Sequence, residues 1–278
     1  MDCIGRYYYL DGRIYTAVEG MPELSGEVSF YEVIRTRNGV PLFFDEHMKR
    51  LGNGIATRYD IDHDIADRVA AGFDTLVSSE SFQEMNVRVT VTFTGMQYSL
   101  HICYIPSSYP TEEIIHEGAR LILFHAERID PGVKILNKSL RMNVNTELQH
   151  RKAYEALLVN REGLITEGSR SNVFFIEDES LIVTPPDSMV LSGITREKII
   201  GLCRSEGLNL MFGSVSETDL PRYRSLFITG TSPMVLGVQS VEDHHFEVNN
   251  PVTDKLRRLY ERMVDRSISS YKMRNRKY

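Results

Sequence analysis

Two ionisable side chains stand in unusually apolar company: Lys134, within Val133-Lys-Ile-Leu136, and Glu167, which ends Leu164-Ile-Thr-Glu167 just before Gly168. A lysine pressed among apolar neighbours is disfavoured as the ammonium, which leaves a neutral amine able to attack carbonyl carbon. A carboxylate held at a strand end can pair with a pyridinium nitrogen and keep it protonated. Together these roles describe pyridoxal phosphate chemistry, with a Schiff-base lysine and an acidic partner for the ring nitrogen. The ordinary alternative for such a lysine is to snorkel from a strand end into water. The surrounding pattern has to choose between them.

The elements that position both groups can be read around them. Ile129-Asp-Pro-Gly132 is a loop leading into Lys134, and the helix that follows carries Leu140, Val144 and Leu148 at helical spacing. Ala156–Val159, a turn at Arg161-Glu-Gly163 and Leu164–Glu167 form a hairpin that delivers Glu167. Gly168 and Ser169 allow a tight bend before the strand Val173–Ile176 and its partner Leu181–Thr184. Pro185-Pro186 breaks that strand, and a helix opens at Leu191-Ser-Gly-Ile-Thr-Arg-Glu197 and runs to about Ser205. Its first turn, with Gly193, Ile194 and Thr195, combines unpaired backbone N–H groups, the positive dipole end and a hydroxyl, all suited to phosphate. The buried strand Leu226–Thr229 ends in Gly230-Thr231-Ser232, a glycine-hydroxyl loop that suits close approach to phosphate or carboxylate. Asn250-Pro251 starts a terminal helix with Leu256, Leu259, Tyr260 and Met263 inward. The basic tail 272–277 reads as a frayed, solvated end.

Upstream, residues 6–16 read as a hairpin turning at Asp11-Gly12. Ser29–Arg37 and a return strand Val40–Phe44 flank the turn Asn38-Gly39. Asp45 then caps a helix to about Thr57 that carries His47 and Arg50. Arg50 offers a planar, always-charged fork suited to a phosphate dianion; His47 reads as structural. Ile65, Val69, Phe73 and Leu76 mark an amphipathic helix, and Val87–Phe93 with Tyr98–Ile105 makes a third hairpin around Thr94-Gly95. Pro106-Ser-Ser-Tyr-Pro110 has the composition of a linker. The boundary is expected near 106–118, between a small α/β N-terminal domain, 1–110, and a larger one, 111–278.

The chain has 278 residues, enough for a large core in one domain or two. A net charge of −6 leaves no basic footprint for nucleic acid. Cys3, Cys103 and Cys203 lie far apart without metal spacing, as free thiols in a reducing cytoplasm would. With no apolar run of ~18 residues and no signal-peptide layout, a soluble cytoplasmic protein is expected.

The order Lys134-x-Leu-Asn137, helix, Tyr154-Glu-Ala156, then Thr166-Glu-Gly-Ser-x-Ser-Asn-Val-Phe174 resembles the signature of the fold-type IV pyridoxal phosphate enzymes. Branched-chain aminotransferases, D-amino acid aminotransferases, (R)-amine transaminases and aminodeoxychorismate lyase make up that family. Tyr31-Glu-Val33, His47-x-x-Arg50-Leu51, Gly193-Ile-Thr-Arg196 and Gly230-Thr-Ser232 extend the resemblance over most of the chain.

The resemblance implies a mixed α/β, two-domain fold like that of D-amino acid aminotransferase, with pyridoxal 5′-phosphate as cofactor. Lys134 and Glu167 would be catalytic. Arg50, Ile194, Thr195 and Thr231 would hold the cofactor phosphate. Tyr31 on the matched strand would wall the substrate pocket and Ser232 would face substrate; Arg35, with Arg37 on the same strand, is placed either to read a substrate carboxylate or to face solvent, and no metal is implied. An amino acid, branched-chain-like or D, would exchange its amino group with a 2-oxo acid by a ping-pong course in a homodimer.

Three departures bear on the substrate. Thr94-Gly-Met-Gln-Tyr98 lacks the Arg-x-His pair of the D-amino acid enzymes. Tyr31-Glu-Val33 stands where the branched-chain enzymes usually have Phe-Glu-Gly, and Lys138 where they have tyrosine. Aminodeoxychorismate lyase, which releases pyruvate and 4-aminobenzoate, shares the lysine, glutamate and phosphate motifs and is the second reading; its small hydroxyl residues near Glu32-Val33 are absent here. Retention of Lys134, Glu167, Arg50 and Thr195 together counts against a non-catalytic relative.

Overall fold

The structure, a computed structural model, describes residues 3–17, 25–60, 65–178 and 181–275, with side chains to Met273 in the last helix. The chain forms two compact units. One comprises Met1–Ser108, Val133–Leu136 and Val264–Tyr278; the other comprises Tyr109–Gly132 and Asn137–Met263.

In the first unit, period-two alternation sends one side-chain set of each strand against two helices. The strands are β1 (Tyr7–Leu10), β2 (Arg13–Thr16), β3 (Val28–Arg37), β4 (Val40–Pro41), β5 (Glu84–Thr94) and β6 (Gln97–Ile105). They pair antiparallel in the order β2-β1-β6-β5-β3-β4. Phe30 and Ile34 of β3, Val87 to Phe93 at alternate positions of β5, and Leu100, Ile102 and Tyr104 of β6 are buried. They pack on Met48, Leu51 and Ile55 of α1 (Phe44–Ala56) and on Ile65, Val69, Phe73 and Leu76 of α2 (Ile65–Ser79).

The turn Asn38-Gly39 has positive φ at both residues, 50° and 73°, the geometry that a twisted two-residue hairpin needs. The return strand is shorter than expected. Pro41 brings no N–H to the ladder, so β4 stops there. Phe43 turns left-handed, with φ 52°, and serves as N-cap in place of Asp45. Asp45 lies in the first turn beside Glu46, where a negative charge complements the dipole.

Residues 133–136 run along the first half of β3. Tyr31 N donates to Lys134 O at 3.1 Å, Leu136 N donates to Ser29 O at 3.0 Å, and Phe30 pairs with Ile135. Val133 and Ile135 pack on the core of this unit.

The second unit holds a ten-stranded mixed sheet. Its strands are β7 (Ala119–His125), β8 (Glu155–Val159), β9 (Leu164–Gly168), β10 (Asn172–Ile176), β11 (Leu181–Thr184), β12 (Asn209–Phe212), β13 (Val215–Ser216), β14 (Ser225–Gly230), β15 (Met234–Val241) and β16 (His244–His245). The order is β12-β11-β10-β14-β15-β7-β8-β9-β13, with β16 beside β15. The pairs β7·β8, β7·β15 and β11·β12 are parallel.

A short helix α3 (Glu112–Glu117), capped by Thr111, follows Pro110. In α4 (Lys138–Arg151) the Asn137 carboxamide accepts from Leu140 N at 3.0 Å, and Val144 and Leu148 pack on Ile122, Ala156 and Leu158. α5 covers Ile194–Ser205. In α6 (Pro251–Asn275) Asn250 Oδ1 accepts from Val252 N at 2.9 Å. Leu256 and Tyr260 are buried as expected, while Leu259 and Met263 are half-buried. The helix continues through Asn275, so the tail does not fray from Lys272; Arg276 and Lys277 lie outside the described residues. Among the described residues no helix is long and apolar enough to cross a membrane.

Candidate active site

Alternation along β3 and residues 133–136 explains how the first unit presents its groups. Val133 and Ile135 point into the core, so Lys134 emerges on the opposite face, half-buried, with Nζ 4.8 Å from the centre of the Tyr31 ring. Tyr31 belongs to that same outer set of β3, and Glu32 to the inner one.

Glu32 is fully buried against α1. Its carboxylate accepts from Arg50 Nε at 2.7 Å and Arg50 Nη2 at 2.6 Å, and lies 2.7 Å from His47 Nδ1. Burial alone would raise its pKa, but the Arg50 cation, with help from His47, outweighs burial and holds it near 2. Burial also dominates at His47 and pushes its pKa below the usual value despite the Glu32 charge. His47 is thus held buried against the Glu32 carboxylate. Arg50 turns its Nε edge to Glu32. Farther along β3, Arg35 is buried and donates from Nε to Glu84 at 2.9 Å, and Arg37 Nε reaches the same oxygen at 2.7 Å. A substrate carboxylate at Arg35 would have to share it with Glu84.

The second unit builds its groups largely from backbone and tight turns. Glu167 sits buried near the end of β9. Oε1 accepts from Arg128 Nη1 at 3.0 Å; Oε2 accepts from Leu191 N at 3.1 Å and Asn172 Nδ2 at 3.4 Å. Asn172 also donates to Leu191 O at 2.9 Å, so one carboxamide ties the start of β10 to the segment that leads into α5. The N-cap of α5 is Gly193, whose φ of −70° is ordinary, and no side chain caps the helix. Gly193 fits closely there, because a Cβ would fall on Asn172 Oδ1 and the carboxamide would have to shift.

Thr195 is buried, with Oγ1 3.1 Å from Tyr260 Oη. Arg196 is wholly buried and anchors this helix start: Nη1 meets Asp187 at 2.7 Å, and Nη2 donates to Pro185 O at 2.9 Å. Thr231 and Ser232 are half-buried in the turn after β14. Arg128, Asn172, Glu155 and Tyr260 were not expected as site residues. Of these, Asn172 and Glu155 lie inside the motif segments, and Tyr260 was read only as an inward residue of the terminal helix.

Taken separately, the groups that each unit presents suit parts of pyridoxal phosphate. A helix start without a side-chain cap and a threonine hydroxyl match a phosphate group, a buried carboxylate matches a ring N–H, and a lysine on a strand edge matches a carbonyl carbon.

These features define a pyridoxal phosphate enzyme of mixed α/β fold. Residues 29–241 match the amino-transferase class IV family. The chain belongs to that family, and it is an enzyme whose cofactor is pyridoxal 5′-phosphate. It is 27% identical over 223 residues to a D-alanine aminotransferase of Bacillus licheniformis, covering 76% of this chain and 78% of the relative. The branched-chain aminotransferase of Thermoproteus uzoniensis, solved with norvaline, has the same fold, with a TM-score of 0.79 at 22% identity over 96% of this chain and 97% of that one. A 4-amino-4-deoxychorismate lyase structure from Legionella pneumophila overlays with a TM-score of 0.72 at 22% identity, covering 84% and 91%.

Proposed function

We propose that this enzyme moves an amino group between an amino acid, branched-chain or D, and a 2-oxo acid by a ping-pong course, as a cytoplasmic homodimer. The observation that carries the reading is Lys134, fixed by backbone hydrogen bonds on an edge of β3 with its Nζ over the Tyr31 ring. Names of both substrate groups occur among the relatives. Pyridoxal phosphate, when bound, supplies a carbonyl carbon for an amine to condense with and a ring that takes up electrons released at the amino acid α-carbon.

In this reading Lys134 Nζ removes the α-proton and returns it on the far side of the reaction. Glu167 would be the acceptor for the ring nitrogen's proton. Arg128 and Leu191 N fix the Glu167 carboxylate so that it does not turn away. Arg50, the Ile194 and Thr195 amides and Thr231 bind phosphate. Glu32 orients the Arg50 fork. Tyr31, Arg35 and Ser232 meet the substrate, with Arg35 shared with Glu84.

The test is a panel of L- and D-amino acids added singly to the purified holoenzyme without an acceptor. A stoichiometric absorbance change, reversed by a 2-oxo acid with release of the new amino acid, is expected for one stereochemical series. A second reading, cleavage of aminodeoxychorismate to 4-aminobenzoate and pyruvate, is favoured by the lyase neighbour. Pyruvate release from that compound, with no amino acid changing the spectrum, would replace the first reading with the second.

A further inference from the structure

Glu155, the first residue of β8, is 3% exposed, and its carboxylate accepts four hydrogen bonds. Ser169 Oγ at 2.6 Å and Ala156 N at 2.8 Å reach Oε1; Ser171 Oγ at 3.0 Å and Arg170 N at 3.2 Å reach Oε2. Three of these donors come from consecutive residues of one turn.

That turn joins β9 to β10. Glu167 stands immediately before it and Asn172 immediately after it, and the two meet at Glu167 Oε2. Other contacts close the same turn. Gly168 N donates to Ser171 O at 2.8 Å, and Ser169 N donates to Ala156 O at 2.8 Å. A Cβ on Gly168 would fall on Ser171 Oγ. The serine hydroxyl that fills this space is the one Glu155 holds. A buried carboxylate with this many donors makes charge-assisted bonds stronger than neutral ones.

We propose that Glu155 is a positioning residue for Glu167: by binding Ser169, Arg170 and Ser171 it fixes the 168–171 turn and so the register at which Glu167 and Asn172 meet. Glu155 acts through the turn and does not touch the reacting atoms. The proposal rests on the reading of Glu167 as the partner of the cofactor ring nitrogen. The chemistry of the clamp explains why an acid stands at 155. Its oxygens face donors only, and a glutamine would turn an NH₂ toward at least one of them.

The experiment compares holoenzymes of the wild type, Glu155→Gln, the double variant Ser169→Ala/Ser171→Ala, and Glu167→Gln. Two quantities are read: the pH midpoint of the bound cofactor's visible absorbance change, and cofactor retention on dilution. Glu167→Gln is expected to move the midpoint most. Glu155→Gln should move it in the same direction by a smaller amount and weaken retention about tenfold, as losing a charged hydrogen-bond set does. If Glu155→Gln does not fold, the double serine variant carries the same expectation. A lowered melting temperature with an unmoved midpoint in both turn variants, while Glu167→Gln moves it, makes Glu155 merely structural and overturns the proposal. An unmoved midpoint in Glu167→Gln overturns the reading of Glu167, and this proposal with it.

Discussion

In the proposed reading, the first unit would meet an anion with side-chain charge and the second with backbone. In the first, the cation is Arg50, and it is already paired with the buried Glu32 at 2.6 and 2.7 Å. In the second, α5 begins without a side-chain cap, and its place is fixed by the buried Arg196 and by the fit of Gly193 against Asn172. A side-chain cation has to be oriented by a counter-charge, which is itself costly to bury and worth keeping only while its partner stays. Backbone amides need no counter-charge; they need a helix start with room at its N-cap. The first unit should therefore be sensitive to pH and to single charge removals, and the second to added volume.

The sharpest break is at Lys134. Lys134→Ala should lower the amino-transfer half-reaction by on the order of 10⁴-fold, since in the proposed reading both the nucleophile and the proton-transfer group are lost. Single-turnover absorbance with the preferred amino acid measures it, and near-normal turnover would remove Lys134 from the chemistry. The fold should survive, because Val133 and Ile135 carry the packing of that segment.

Next in size is the charge cluster. Glu32→Ala leaves Arg50 without its buried counter-charge and should cost about 3–5 kcal/mol in urea unfolding. The same cluster sets an acid limit. Glu32 has its pKa lowered from 4.5 to about 2, so its ionised form stabilises the folded chain above the unfolded value and loses that advantage as pH falls from 4.5 toward 2. The shift corresponds to about 3 kcal/mol. His47 acts in the same direction from higher pH: its folded pKa lies below 6.5, so the unfolded chain takes up that proton first. Urea midpoints measured down to about pH 3 should fall steeply in the wild type and less steeply in Glu32→Gln. Parallel curves would mean that this cluster does not govern acid stability.

A volume test addresses the second unit. Gly193→Ala keeps an allowed backbone conformation but drives a methyl group onto Asn172 Oδ1. A cost of about 1–3 kcal/mol is expected, together with weaker cofactor retention, because the displaced carboxamide also holds Glu167. Unchanged stability and retention would show that the α5 start tolerates side chains and would blur the contrast between the two units.

Most of the strand and helix pattern was legible in the sequence because burial imposes clean periods. Ile65, Val69, Phe73 and Leu76 all lie in the core of the first unit, and the turns at Asp11-Gly12 and Asn38-Gly39 adopt the positive φ their residues allow. The start of α1 was misread because Asp45 looks like a cap, whereas the left-handed Phe43 holds that place, a conformation that aromatic residues seldom advertise. Motif segments told where donors would stand, as at Gly193-Ile-Thr195. They did not tell what each side chain was already paired with. Glu32 with Arg50 and Arg35 with Glu84 are pairings between separate elements, 18 and 49 residues apart, and no local spacing encodes them. Arg128, in the loop before Lys134, carried no signal beyond being one arginine among many.

The smallest effect separates positioning from plain support at the α5 start. Tyr260 Oη lies 3.1 Å from Thr195 Oγ1, with both side chains buried. Tyr260→Phe keeps the ring that packs along α6 and removes only the hydroxyl, so stability should change by about 1 kcal/mol or less. If the phenol orients the Thr195 hydroxyl toward phosphate, cofactor retention should weaken by about three- to tenfold while turnover at saturating cofactor stays close to wild type. Thr195→Val provides the comparison, since it removes the partner hydroxyl at nearly constant shape. When the hydroxyls act as a pair, the double variant should lose little more than the worse single one; independent losses would multiply. Multiplied losses would mean that the two hydroxyls act on retention independently, and unchanged retention in Tyr260→Phe would leave its hydroxyl without a role there.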